Sequence, residues 1–129
     1  MKFFIASHSQ IEAKNLQDKL IEAGNEVTSR WIIEDTKFHK SINAYTDEER
    51  THISQLDEED VRKAEDGLVL IAEKEGRCVP GGKHVETGIA LGLGRSIHVI
   101  GRKENIFHWH PKVKTFQDVN EFLDYVGVS

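Results

Sequence analysis

The chain has 129 residues, 38% of them hydrophobic and 30% charged, which argues for one ordinary globular domain with one core. A net charge of −5 and a pI near 5.8 leave no basic footprint for a nucleic acid polymer. The single cysteine, Cys78, rules out a disulfide framework within the chain, and the first apolar run is too short for a signal peptide or a membrane span. A cytoplasmic protein without membrane attachment is the expectation.

The first strand is expected at Phe3 to Ala6. With Leu68 to Ala72 and Ile97 to Ile100 it forms a set of continuous rather than alternating apolar runs, the pattern of strands buried on both faces of a parallel sheet. Ser9 with Glu12 reads as a capping box, and Ala13, Leu16, Leu20 and Ala23 give the following helix its apolar stripe before Gly24 closes it. A strand is predicted over Glu26 to Ile33, and residues 34–45 show no period and read as a loop. Thr46 with Glu49 opens a second helix that runs to about Glu65.

Beyond the Leu68 strand, Gly76, Pro80, Gly81 and Gly82 mark a loop, followed by a helix from about Lys83 to Leu93. The strand at Ile97, a loop around Asn105 to Pro111 and a last helix from about Phe116 to Val126 complete the chain. Strands alternating with helices imply a doubly wound parallel sheet with right-handed crossovers, whose ligands bind beyond the carboxyl ends of the strands. Ser7 to Gln10, Glu73 to Glu86 and Arg102 to Pro111 are the segments placed there.

Two features of this pattern carry chemistry. Ile53, Leu56, Val61 and Ala64 define the apolar stripe of the second long helix, and Asp57 and Asp60 fall in its middle. A carboxylate aimed at a core is costly unless it is paired, bonded or facing a cavity. Either the helix is rotated, the aspartates bond to nearby backbone, or they face a site. Glu86 follows two glycines, Gly81 and Gly82, that let a ligand approach the backbone. It is expected in the first turn of its helix, where the partial positive charge favours the ionised form. There it either serves a site or only stabilises the helix terminus.

Other chemistries find little support. No Gly-Lys-Ser/Thr follows the glycines, no dinucleotide fingerprint follows the first strand, and no Gly-x-Ser-x-Gly elbow is present. His108-Trp109-His110 lacks a third ligand at zinc spacing, so neither a metal nor another cofactor is expected.

The segments Asp57 to Glu65, Gly81 to Gly88, Ala90 to Gly94 and Gly101 to His108 together resemble the nucleoside 2-deoxyribosyltransferase family, including its nucleotide-hydrolase branch. The resemblance covers nearly the whole chain and is weakest across residues 34–50. It implies one flavodoxin-like (Rossmann-like) α/β domain over residues 1–129, with five parallel strands and helices on both faces. It implies cleavage of the N-glycosidic bond of a nucleoside or its 5′-monophosphate, with transfer of the sugar to another base or to water. Glu86 matches the family's nucleophile. Asp57, seven residues before Ala64, matches its helical aspartate.

Ser7, His8, Asp60, Gly81, Gly82, His84 and Asn105 are the candidate substrate contacts, with Trp31 either stacking on a base or packing in the core. Two departures stand out. Phe3 or Phe4 occupies the place of a first-strand tyrosine that orients the nucleophile, and Pro80 replaces a serine that helps hold a 5′-phosphate. A nucleotide-binding module of the same fold with weak or no turnover is therefore the alternative. The family's habit of completing each site from a neighbour implies a homodimer or larger homo-oligomer, with the Asn105-to-His110 loop at the contact.

Overall fold

The structure, a computed structural model, describes residues 1–32, 44–74 and 81–127. Most of the loop expected at 34–45, and Gly76, Cys78 and Pro80, lie outside these residues.

Five strands form one parallel sheet in the order β2-β1-β3-β4-β5. They are β1 (Lys2–Ala6), β2 (Glu26–Val27), β3 (Leu68–Ile71), β4 (Ile97–Ile100) and β5 (Val113–Phe116). The helices between them are α1 (Gln10–Glu22), α2 (Asp47–Lys63), α3 (Gly82–Gly92) and α4 (Val119–Tyr125). This is the flavodoxin-like α/β architecture, with helices on both faces of the sheet.

The continuous apolar runs fill both layers, as runs without alternation must in a covered sheet. Phe3 and Ile5 of β1 join Ala13, Leu16 and Leu20 of α1 and Phe122 and Leu123 of α4 on one face. Phe4 and Ala6 join Val61 of α2, Ala64 just beyond it and Ala90 of α3 on the other. Each large side chain buried this way contributes about 1.5–3 kcal/mol. His98 alone breaks the apolar pattern of β4. Its Nδ1 lies 3.2 Å from the Leu68 carbonyl, its ring is edge-on to Phe3 and Phe122, and burial holds its pKa below the ordinary value.

Helix boundaries follow the capping signals. Ser9 accepts from the Glu12 amide at 3.2 Å, and Thr46 and Glu49 form the reciprocal capping box. Gly24 sits at φ +91°, the left-handed turn that ends α1. Gly67, at φ +123°, is obligatory for a second reason, since a Cβ there would lie 2.2 Å from the Ser96 carbonyl oxygen.

Four expectations require correction. The strand predicted over Glu26 to Ile33 is only two residues long. After Val27 the chain turns into a 3-10 helix, Arg30–Ile32, because Thr28, Ser29 and Arg30 bond to β1 and α2 instead of extending the ladder. A fifth strand lies where a loop was expected to run into the last helix. Only Phe116 of its four residues is buried, so no apolar run announces it. The last helix accordingly starts at Val119, capped by Asp118, not near Phe116. Ala23 is also exposed beyond the end of α1.

Candidate active site

In a parallel sheet of this order the chain reverses direction between β1 and β3, and the carboxyl ends of those strands open a crevice. α2 and α3 pack against each other over that edge. Their facing surfaces carry the carboxylates.

Glu86 is the fifth residue of α3, not a first-turn residue, because the helix begins at Gly82 with Gly81 as its N-cap. This corrects the expectation that the helix terminus keeps it ionised. Its surroundings act in the opposite sense. Burial, then the negative charge of Asp57, then that of Asp60 push its pKa up to about 8. Among the described residues no hydrogen bond reaches its carboxyl group. The two phenylalanines at the first-strand position split between faces: Phe3 points toward α1 and α4, and Phe4 toward α2 and α3. On the side of Glu86, then, β1 offers an apolar ring and no hydroxyl.

Asp57 and Asp60 share one face of α2 at i, i+3 spacing. Asp57 is partly buried and faces Glu86. Asp60 is 1% exposed and fully engaged. Arg30 donates from its backbone N–H to Oδ2 at 3.0 Å and from Nε to Oδ1 at 2.8 Å. Both aspartates on this stripe act on Glu86 through their charge, Asp57 more strongly than the Arg30-held Asp60.

The other candidates distribute around the same edge. Gly81 and Gly82 are exposed with open space where side chains would stand, and no side chain caps α3. Ser7 accepts from the Ser9 amide at 3.0 Å, and His8 is exposed beside it. Trp31 donates from its indole to the Ile5 carbonyl at 2.9 Å and packs against both core layers. His84 and Asn105 pair with each other, 3.2 Å between Nδ1 and Nδ2, on the flank of α3 away from α2.

A buried ion triad that the sequence pattern did not suggest underlies this edge. Lys83 places Nζ 2.8 Å from Glu104 Oε1 and 3.3 Å from Glu73 Oε1, with all three side chains less than a tenth exposed. Glu73 follows β3 and Glu104 follows β4, so the triad ties two strand exits to the start of α3. The signal for it is an acidic residue just beyond each of two adjacent buried strands. Arg30 also escapes a reading that places it in a strand. The Glu104 amide donates to Nδ1 of buried His108 at 2.9 Å, which makes Nε2 the protonated nitrogen of that ring.

A cavity of about 520 Å³ lies elsewhere, between the C-terminal ends of α1 and α4 at the opposite edge of the sheet. Its charged residues, Lys19, Glu22 and Asp124, are all exposed, and it holds none of the candidate site residues.

A solved structure, the Clostridium botulinum CMP N-glycosidase BcmB, is similar to this chain with a TM-score of 0.60 at 16% sequence identity, covering 98% of each chain. That likeness shows the fold. No protein-family model matches the sequence, and no curated protein does. Among the described residues no helix is long and apolar enough to cross a membrane.

Proposed function

We propose that this protein cleaves the N-glycosidic bond of a nucleoside or nucleoside 5′-monophosphate, with Glu86 as nucleophile and Asp57 as acid. The observation that carries this reading is the opposition of Glu86 on α3 and Asp57 on α2, at the edge where such sheets bind ligands, with the Glu86 pKa near 8. Its likeness in fold to an enzyme named a CMP N-glycosidase supports the same chemistry.

At neutral pH the two carboxyl groups hold one proton between them, the complement that a nucleophile and an acid require. In the free protein that proton rests on Glu86; the reactive form has it on Asp57. An ionised Glu86 oxygen then bonds to C1′ as the C1′–N bond breaks, and the departing base takes the bonding pair and the Asp57 proton. Water, or a second base, next attacks C1′ and gives its proton to Asp57. Glu86 is released with the sugar free or transferred. Ser7, His8, Gly81 and Gly82, which follow β1 and open α3, are the proposed contacts for the sugar and its 5′ end, with Trp31 as a wall near β1.

A second reading draws on a specific feature. Glu86 lacks a hydroxyl from β1 to orient it and prefers its neutral form, which suits a module that binds a nucleotide without turnover. Ile106, Phe107 and Trp109 stand exposed on a 3-10 turn after Asn105, and this apolar surface supports a homo-oligomer in which a second copy covers it.

Incubation with nucleosides and their monophosphates, with and without an acceptor base, separates the readings. Release of free base is expected, and transfer to the acceptor distinguishes a transferase from a hydrolase. Because the pair must retain one proton, the rate is expected to fall as pH rises through about 8. Tight nucleotide binding with no base released at any pH would favour the binding module.

A further inference from the structure

Asp60 does something that neither a core residue nor a substrate contact needs to do. It is 1% exposed, and the segment leaving β2 grips it three times. The Arg30 amide and guanidinium engage its two carboxylate oxygens at 3.0 and 2.8 Å, and the Thr28 hydroxyl donates to its backbone carbonyl at 2.7 Å. Two charge-assisted bonds with this geometry fix the orientation of the carboxylate. Arg30 is itself fixed from the other side, with Nη2 3.5 Å from Glu59 Oε2, while Lys63 sits 2.8 Å from Glu59 Oε1. Asp60 therefore cannot swing out to meet a ligand without giving up both carboxylate bonds at once.

What Asp60 can do is present a charge. It lies one helical turn from Asp57 on the same face of α2. Among the described residues the charged groups acting on Glu86 are Asp57 and Asp60, both from α2, while Arg30 from the 3-10 turn directs hydrogen bonds to Asp60. We infer that Asp60 is a positioning residue for the proposed reacting pair: clamped by Arg30 as a fixed buried anion, it keeps the shared proton within the Glu86–Asp57 pair. The inference rests on the glycosidase reading only in treating that pair as the reacting one. Where the proton sits does not depend on turnover.

Titration of the Glu86 carboxyl carbon by NMR in the folded protein tests it without requiring activity. In Asp60→Asn the Glu86 midpoint is expected to fall by about one pH unit, and the basic limb of any base-release profile to move down with it. Arg30→Lys keeps the charges and is expected to leave the midpoint near its wild-type value. Should Asp60→Asn fail to fold, the double variant Asp60→Asn/Arg30→Met removes both partners of the ion pair and is expected to show the same fall. A folded variant lacking the Asp60 charge whose Glu86 midpoint is unchanged would overturn the inference. If the midpoint falls as expected while no variant, nor the wild type, releases base, the inference stands and the glycosidase reading fails.

Discussion

Glu86→Gln is expected to abolish base release, by about a thousandfold or more, and at the same time to make the protein more stable. The first effect follows from the proposed mechanism, because an amide cannot form the bond to C1′ that splits the reaction into two steps. The second follows from the cost of holding Glu86 where it is. Its folded pKa, near 8, lies above the ordinary 4.5. The native state thus keeps a proton that the unfolded chain gives up as pH rises above 4.5.

Stability therefore declines through that interval, and the full penalty is present above pH 8. Each tenfold difference in proton affinity between folded and unfolded chain is worth about 1.4 kcal/mol, and partial solvent access of the side chain reduces the total to about 2 kcal/mol. Glutamine escapes this cost. The variant should melt about 6 °C above wild type at pH 8.5 and nearly with it at pH 5. Thermal melts at the two pH values check this, and equal melting temperatures at pH 8.5 would show that Glu86 is not held at a cost.

Lys83→Met is expected to cause the largest loss of stability of any single change at this edge. Lys83 Nζ sits between Glu104 and Glu73 in a triad almost closed to solvent. The triad as a whole carries excess negative charge. Taking away its cation leaves two carboxylates buried near each other, a loss of about 3–5 kcal/mol. Urea denaturation at neutral pH measures it. Glu104→Gln in the Lys83→Met background should recover part of the loss by relieving the repulsion. A loss below about 1 kcal/mol would mean that solvent reaches the triad and screens it. Lys83 lies one turn before Glu86, so the triad also fixes where the helix carrying the proposed nucleophile begins.

Much of this architecture is legible in the residues. β1, β3 and β4 are continuous apolar runs because both faces of each are covered, and a strand with one face in water would alternate instead. Thr46 and Glu49 announce α2 for an equally direct reason, since their two side chains satisfy two backbone amides. β5 is illegible because it is an edge strand with one buried residue, and β2 because bonds from Thr28, Ser29 and Arg30 override the strand propensity of Trp31 and Ile32.

At the site, helical spacing predicts that Asp57 and Asp60 share the inward face, but it cannot divide their roles. That division depends on Arg30, which arrives from a different element. The position of Glu86 along its helix turns on which residue begins α3. A start one residue earlier, at Gly82, takes it out of the first turn, and burial with the charges of Asp57 and Asp60 then sets its environment.

The proposed glycosidase mechanism requires Glu86 to bond to the sugar. That bond can be trapped by incubating the protein with a 2′-fluoro-2′-deoxynucleoside or its 5′-monophosphate, whose electron-poor sugar slows release from the enzyme. The quenched protein is then weighed and mapped by mass spectrometry. The mechanism predicts a mass increase equal to one fluorosugar unit, carried as an ester on the peptide containing Glu86. Base released while that peptide stays unmodified, or a sugar found on another residue, would defeat it.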